Sequence, residues 1–312
     1  MRYLLGDKTL DTCMIGTWAW GTGGNGGKMI FGKSYDREQL YRTFETAVQK
    51  GLTFWDTAEV YGMGTAEKLL GLFIKDRDVT LSTKHFPKRN YTSGENRRAL
   101  EGSLQRLGRS SVDLYWLHAP RNIAENMREL AQLQREGLIG CIGLSNGSVA
   151  QIRQAQQVLQ ENGSTLTAIQ NHYSLLAMAR EADVLTYCQE NGLLFFGYMI
   201  LEQGALSGHY DAEHPFPRLS MRGLSFGKDK FRRIRPLIDY IRQLAQQYGI
   251  DSAQIATIWA VAKGVIPIVG LTKPSHAVSL PMALTQTLSP QELSELERLA
   301  QASGVACQGT WE

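Results

Sequence analysis

Long hydrophobic runs are missing from this chain of 312 residues. No stretch approaches the roughly 18 uninterrupted apolar residues that a membrane-spanning helix needs. The first residues, from Met1 to Cys13, hold no apolar segment of signal-peptide length. Charge of one sign is equally scarce: 33 Lys and Arg stand against 30 Asp and Glu, leaving a net charge of +3. No basic run exceeds two residues, so the chain lacks the electrostatic footprint that nucleic-acid binding requires. Only four cysteines occur, Cys13, Cys141, Cys188 and Cys307, with no CxxC spacing among them. They read as free thiols in a reducing compartment, neither a disulfide framework nor a zinc site. These absences predict a soluble cytoplasmic protein with no membrane, nucleic-acid or metal partner.

What is present is ordinary globular composition, 43% hydrophobic, with a recurring local grammar of helical pattern, glycine and short apolar strand. Between Asp36 and Lys50, Leu40, Phe44, Ala47 and Val48 recur at helical spacing, and Gly51 ends the pattern. Leu52–Trp55 then reads as a strand. The same order returns at Gly137–Gly140 and Gly192–Phe196, and further strands are expected at Met14–Gly16, Val79–Thr83, Val112–Leu117, Leu166–Ile169 and Val265–Val269. Eight strands alternating with helices imply parallel pairing through right-handed crossovers. In about 300 residues that count suits a closed (β/α)8 TIM barrel of the α/β class, one domain over residues 1–312.

Two segments break the rhythm, the glycine-rich 22–33 and the polar 209–230, and both are expected to be loops at a functional mouth. Gly21–Gly26 matches GxGxxG, but that motif must open a helix with an acidic residue about 20 positions on. Six glycines within residues 21–32 discourage a helix, so the segment reads as a flexible loop, not a phosphate cradle. Trp18, Trp20, Met29 and Phe31 are expected around the mouth.

A stronger signal is polar residues at strand ends. Asp56 follows Thr53-Phe-Trp, Tyr61 lies five residues on, Lys84 closes Val79-Thr-Leu-Ser-Thr, and His118 closes Asp113-Leu-Tyr-Trp-Leu. Each alone has a plain reading: a turn cap, a packed aromatic, a solvated lysine, a structural histidine. In a barrel, however, all carboxyl ends open on one face, where four distant residues can converge.

At this point the chain resembles the aldo-keto reductase family along nearly its whole length. The matching stretches are Gly16-Thr-Trp18, Asp56-Thr-Ala-Glu-Val-Tyr61-Gly, Thr83-Lys84, Leu117-His118, Ile142-Gly-Leu-Ser-Asn146, Gln170, Gln203-Gly-Ala-Leu-Ser-Gly208 and Val269-Gly-Leu-Thr-Lys273-Pro. The resemblance implies an NADP(H)-dependent oxidoreductase, with NAD(H) as the alternative cofactor, that reduces an aldehyde or ketone or oxidises the alcohol. It makes Asp56, Tyr61, Lys84 and His118 a catalytic tetrad. It places Ser145, Asn146 and Gln170 on the nicotinamide carboxamide and Tyr198 against the ring. Around the rest of the cofactor it places Gly16, Thr17, Trp18, Asp56, Leu201, Gln203, Gly204, Leu206, Gly270, Lys273 and His276.

The residue types suit that chemistry. Hydride delivered to a carbonyl carbon leaves negative charge on oxygen, which needs an acid. A free phenol, with pKa about 10, is a reluctant donor at neutral pH. A lysine cation beside it is expected to lower that pKa, and a carboxylate keeps the cation in place. His118 would hold the carbonyl oxygen by hydrogen bonding.

Three departures stand out. Ala119 stands where the family often has a bulky aromatic, which predicts a wider pocket or a different pocket wall; Met199-Ile200-Leu201 replaces a common Ser-Pro-Leu; and Ser279-Leu280 replaces a Glu-Asn pair that often clamps adenine. Two other functions compete with this reading. A metal-dependent barrel hydrolase needs clustered ligands, and of six histidines only His118 and His172 fall at strand ends. A cofactor-binding regulatory subunit with slow or no turnover is the closer alternative, and cofactor oxidation over a carbonyl panel separates it from an enzyme.

Overall fold

The computed structural model describes residues 3–10, 13–217 and 220–307. Strands β1 (Tyr3–Leu5) and β2 (Lys8–Leu10) form an antiparallel hairpin. Eight more form the barrel: β3 (Met14–Gly16), β4 (Phe54–Asp56), β5 (Thr80–His85), β6 (Val112–Leu117), β7 (Ile139–Ser145), β8 (Leu166–His172), β9 (Leu194–Tyr198) and β10 (Ile266–Gly270). Every neighbouring pair is parallel, and β10 closes on β3 through Gly270 opposite Gly16. This is the (β/α)8 barrel that the alternating pattern predicts.

Helix Arg37–Gln49 shows how the units are made. Asp36 caps its start by accepting from the Gln39 N–H, Leu40, Thr43, Phe44 and Ala47 face the barrel, and Gly51 at φ +82° turns the chain into the next strand. Only a residue without Cβ takes that left-handed turn cheaply, and glycines with positive φ follow the helices again at Gly137 and Gly192.

The barrel interior follows the two-residue alternation of strands. Met14, Phe54, Leu114, Trp116, Ala168, Phe196 and Ile266 point inward and pack with Leu5 and Leu10, so the hairpin plugs the amino-terminal end. Ile15, Trp55, Tyr115, Leu117 and Ile169 point outward into the layer under the helices. At Gly143 a Cβ would stand 2.1 Å from the Trp116 ring, so β7 needs glycine where that indole fills the barrel.

Several expectations are corrected. The hairpin was not foreseen. Strands β5, β7 and β8 run two to five residues further than their apolar runs, through Lys84, Ser145, Gln170 and His172. Their carboxyl halves are polar because they build the mouth, and hydrophobic pattern does not register them. Segment 22–33 contains a short helix, Gly27–Phe31, instead of an open loop. Its glycines serve contact: a Cβ on Gly27 would lie 2.3 Å from the Ala19 oxygen and one on Gly26 2.5 Å from the Gly21 oxygen. Segment 209–230 likewise contains helix Met221–Ser225 and the start of Lys228–Arg233, with Arg218 and Leu219 outside the described residues. Among the described residues no helix is long and apolar enough to cross a membrane.

Candidate active site

The inward phase of the strands carries the polar residues to one place. Two residues past inward-facing Phe54, Ser82, Gly143, Ala168 and Phe196 come Asp56, Lys84, Ser145, Gln170 and Tyr198. Cross-strand register aligns Asp56 with Gly16 and Ser82, and Ser145 with Gln170. A cavity of about 530 Å³ opens above this ring.

Asp56 and Lys84 form a fully buried ion pair beneath it. Asp56 Oδ1 also accepts from Ser82 Oγ at 2.6 Å. Lys84 Nζ has three donors and three acceptors around it: Asp56 Oδ2, the Thr57 carbonyl at 2.8 Å and the Tyr61 phenol oxygen at 3.4 Å. Tyr61 stands in the loop after β4, held against the loop after β3 because Gly62, at φ +58°, leaves room for Thr65 Oγ1. That hydroxyl accepts from the Thr22 N–H at 2.8 Å. Trp18 stacks on Tyr61 with ring centroids 5.9 Å apart, and His118 meets it edge-on at 6.1 Å. All four sequence-selected residues therefore meet at one point.

Burial governs their protonation. It pushes the Tyr61 phenol well above its ordinary value, and the Asp56 carboxylate adds to the shift. The expectation of a lowered phenol pKa is corrected: burial, with Asp56 and Tyr198 adding to it, raises the phenol, and Tyr61 holds its proton at neutral pH. Burial lowers Lys84, opposed by Asp56. His118 lies well below the ordinary imidazole value through burial and the Lys84 cation, so it is neutral.

Of the sequence-selected cofactor residues, Gly16, Trp18, Asp56, Ser145, Asn146, Gln170, Tyr198, Leu201, Gln203, Gly204, Gly270, Lys273 and His276 line the cavity. Thr17, Lys84 and Leu206 lie beneath its surface. Thr17 ties β3 to β4 through the Asp56 carbonyl at 3.0 Å. Ser145 and Asn146 are engaged with their neighbours: Ser145 Oγ donates to the Gln170 carbonyl at 2.8 Å, and Asn146 accepts from Tyr198 OH at 2.6 Å. Gln170 Nε2, buried, has no partner among the described residues. Ala119 is buried and does not itself line the cavity; Phe86 packs on His118 at 5.6 Å. Trp20 and Met29 also fall outside the wall, whereas Trp18 and Phe31 belong to it.

Sequence reasoning missed Arg222. Its guanidinium is buried in the wall, donating to the Gln203 carbonyl at 3.1 Å and Tyr210 OH at 3.3 Å, with Nε unpartnered and no carboxylate on it among the described residues. No spacing marks it inside a polar stretch. Gln254 also lines the cavity, and its capping box with Asp251 was visible as Asp-x-x-Gln. Among the described residues no three His, Cys, Asp or Glu side chains group as metal ligands do.

A parallel eight-strand barrel with a cavity at its carboxyl face, ringed at its base by polar side chains, defines a (β/α)8 enzyme scaffold. The profile of the Aldo/keto reductase family matches residues 13–301, and the chain belongs to that family of oxidoreductases. It is 30% identical to the chloroplastic pyridoxal reductase of Arabidopsis thaliana, over 96% of this chain and 86% of the relative. Its fold is similar to the glycerol dehydrogenase AKR11B4 of Gluconobacter oxydans (TM-score 0.82, 24% identity, 99% of this chain and 97% of the other). It is also similar to an aldo-keto reductase of Klebsiella pneumoniae solved with NADPH (TM-score 0.72, 28% identity, 95% and 93%).

Proposed function

We propose that this protein uses NADP(H) to interconvert an aldehyde or ketone with its alcohol, with Tyr61 as the proton donor. The observation that carries the reading is the buried chain Asp56–Lys84–Tyr61 ending at the cavity beside a neutral His118. The Klebsiella relative's NADPH complex supports the choice of cofactor, and the pyridoxal reductase supports an aldehyde among the substrates.

The cavity wall fits a dinucleotide. Gln170 Nε2 is a buried donor awaiting an acceptor such as a carboxamide oxygen. Arg222 offers an uncompensated buried cation, and beside it Gly204, at φ +106°, is bare backbone with a Cβ position 3.7 Å from the guanidinium, which suits a diphosphate. Lys273 precedes helix Pro274–Ala283, whose first turn lines the same wall, and stands where a further phosphate would sit.

NADP(H), held by Gln170, Arg222 and Lys273 along the cavity wall, would supply or accept the hydride. The protein's own residues manage the proton and the charge. Tyr61, kept protonated by burial, donates to the carbonyl oxygen as negative charge develops there, and Lys84 stabilises the phenolate that remains. Asp56 holds Lys84 charged against its desolvation. His118, with one N–H in its neutral form, orients the carbonyl by hydrogen bonding without contributing a charge. A regulatory subunit without turnover has no use for a proton donor assembled in this way. We read the whole chain as one domain around this site. Four cysteines outside any disulfide support a reducing compartment such as the cytoplasm.

Tyr61→Phe removes the acid and little volume. Turnover with a panel of aldehydes, followed by NADPH absorbance, is expected to fall by roughly 10³-fold or more, while the NADPH dissociation constant stays within a few-fold. Near-normal turnover in the variant overturns the assignment.

A further inference from the structure

Backbone strain collects behind the cavity wall. Asn146, Met199, Glu202 and Gln203 all hold positive φ, and all lie at the carboxyl ends of β7 and β9 around Tyr198. Glu202 is the least suited of them. At φ +46° it occupies a conformation that glycine or asparagine takes more easily, and its carboxylate is buried out of water. Two penalties at one position point to a task for the carboxylate.

Its contacts define that task. Glu202 Oε1 accepts from the Ser174 hydroxyl and stands 2.7 Å from His172 Nε2. His172 is buried, and its Nδ1 has no hydrogen-bond partner among the described residues, so Glu202 alone fixes the rotation of the imidazole. The imidazole in turn stacks on the Tyr198 ring, centroids 5.6 Å apart and planes 20° from parallel, from the next strand. Tyr198 lines the cavity; His172 and Glu202 do not. At its far end the Tyr198 hydroxyl donates to Asn146 Oδ1, and Asn146 Nδ2 donates to the His118 carbonyl at 3.0 Å. The ring is thus pinned at its hydroxyl and backed by an imidazole that a buried carboxylate holds in orientation.

We propose that Glu202 and His172 form a buried positioning dyad that sets the plane of Tyr198 as the platform for the nicotinamide ring. The proposal rests on the cofactor reading above. Neither residue touches substrate or cofactor; both act through Tyr198.

The test uses the full-length protein with Glu202→Gln, His172→Leu, the double variant and Tyr198→Ala. NADP+ and NADPH titrations follow quenching of intrinsic fluorescence and the emission of bound NADPH, and melting curves are recorded in parallel. Glu202→Gln keeps the shape of the side chain and serves if His172→Leu folds poorly. Each single variant is expected to change the bound-NADPH emission and to weaken both cofactors about tenfold, with the double variant no weaker than the worse single one. Losses that multiply in the double variant overturn the coupling. A lowered melting temperature with unchanged emission and affinity shows a merely structural pair and also overturns it. If Tyr198→Ala leaves emission and affinity untouched while NADPH still binds, the platform fails and the dyad with it. If no form binds either cofactor, the cofactor reading itself has failed.

Discussion

Tyr61 is an acid that its surroundings make weaker, and that decides how it can be used. Burial favours the neutral phenol, so the proton is present at every pH below a raised value. In the proposed reaction it is released only when a stronger base forms at the carbonyl oxygen. Lys84, 3.4 Å from the phenol oxygen, favours the phenolate left after transfer and so opposes the effect of burial without reversing it. The sign follows for both directions. Reduction needs the protonated form, so its rate is expected to hold through neutral and mildly alkaline pH. Alcohol oxidation needs the phenolate and is expected to climb as pH rises through the alkaline range. Neutral His118 adds no limb near its ordinary value, because its pKa is depressed. Lys84→Met removes the nearby cation and is expected to move the oxidation limb to higher pH. pH–rate profiles in both directions measure this, and an oxidation rate flat to pH 10, the ordinary phenol value, contradicts it.

At the scale of elements, the proposed function divides the cofactor's phosphates between two segments. Lys273 opens helix Pro274–Ala283, and Arg222 sits in helix Met221–Ser225 of the long connection after β9. In that reading the first meets the phosphate unique to NADPH, and the second, beside Gly204, meets the diphosphate common to both cofactors. One charge-assisted contact is worth roughly 1.5–3 kcal/mol, or about 10- to 100-fold in affinity. Lys273→Ala is therefore expected to weaken NADPH by that factor and leave NADH nearly unchanged, whereas Arg222→Met weakens both alike. Fluorescence titration of each variant with each cofactor checks the division; equal losses for Lys273→Ala refute it. These two residues also mark how far sequence could be read. Lys273 stands in a short ordered stretch, Val269-Gly-Leu-Thr-Lys-Pro, where local pattern carries meaning. Arg222 reaches the wall through tertiary packing, its guanidinium 4.5 Å from the Phe216 ring and 5.1 Å from Tyr210, and no periodicity records that. The barrel strands were legible as apolar runs and Lys84 as the polar residue closing one of them, but the polar ends at Ser145 and Gln170 were legible only through the resemblance, since those residues serve the cavity in place of the core. Glu202 was hidden for the same reason: its backbone angle and its burial exist only in the fold.

Taken as a whole, the molecule separates stability from chemistry along the barrel axis. The hairpin end is closed by Leu5 and Leu10 over an apolar interior, while the carboxyl end gathers buried ionisable groups that do nothing for packing. That separation makes stability depend on pH in a way the site dictates. His118 is depressed by burial and by Lys84, and His276 by burial and by Lys273. A depressed imidazole is neutral in the folded chain while the unfolded chain protonates near 6.5. Above that value the two states bind the same protons and nothing is lost. Below it the unfolded chain takes up protons that the folded chain refuses, and stability falls by up to about 1.4 kcal/mol per pH unit for a fully buried imidazole. Glu136 and Glu295, lowered by Arg97 and Arg298, work in a separate window: their contribution is present above the ordinary value of 4.5 and disappears below it. On the alkaline side the raised phenols Tyr61 and Tyr115 stabilise the fold below their unfolded value of 10 and lose that contribution above it. The interval between 6.5 and 4.5 is thus assigned to the imidazoles. Urea midpoints of the cofactor-free protein are expected to drop between pH 7 and pH 5 by an amount equivalent to roughly 1–2 kcal/mol. His118→Gln, which keeps a hydrogen-bonding side chain that cannot titrate, is expected to remove the larger part of that drop, and an undiminished slope in the variant places the acid sensitivity elsewhere.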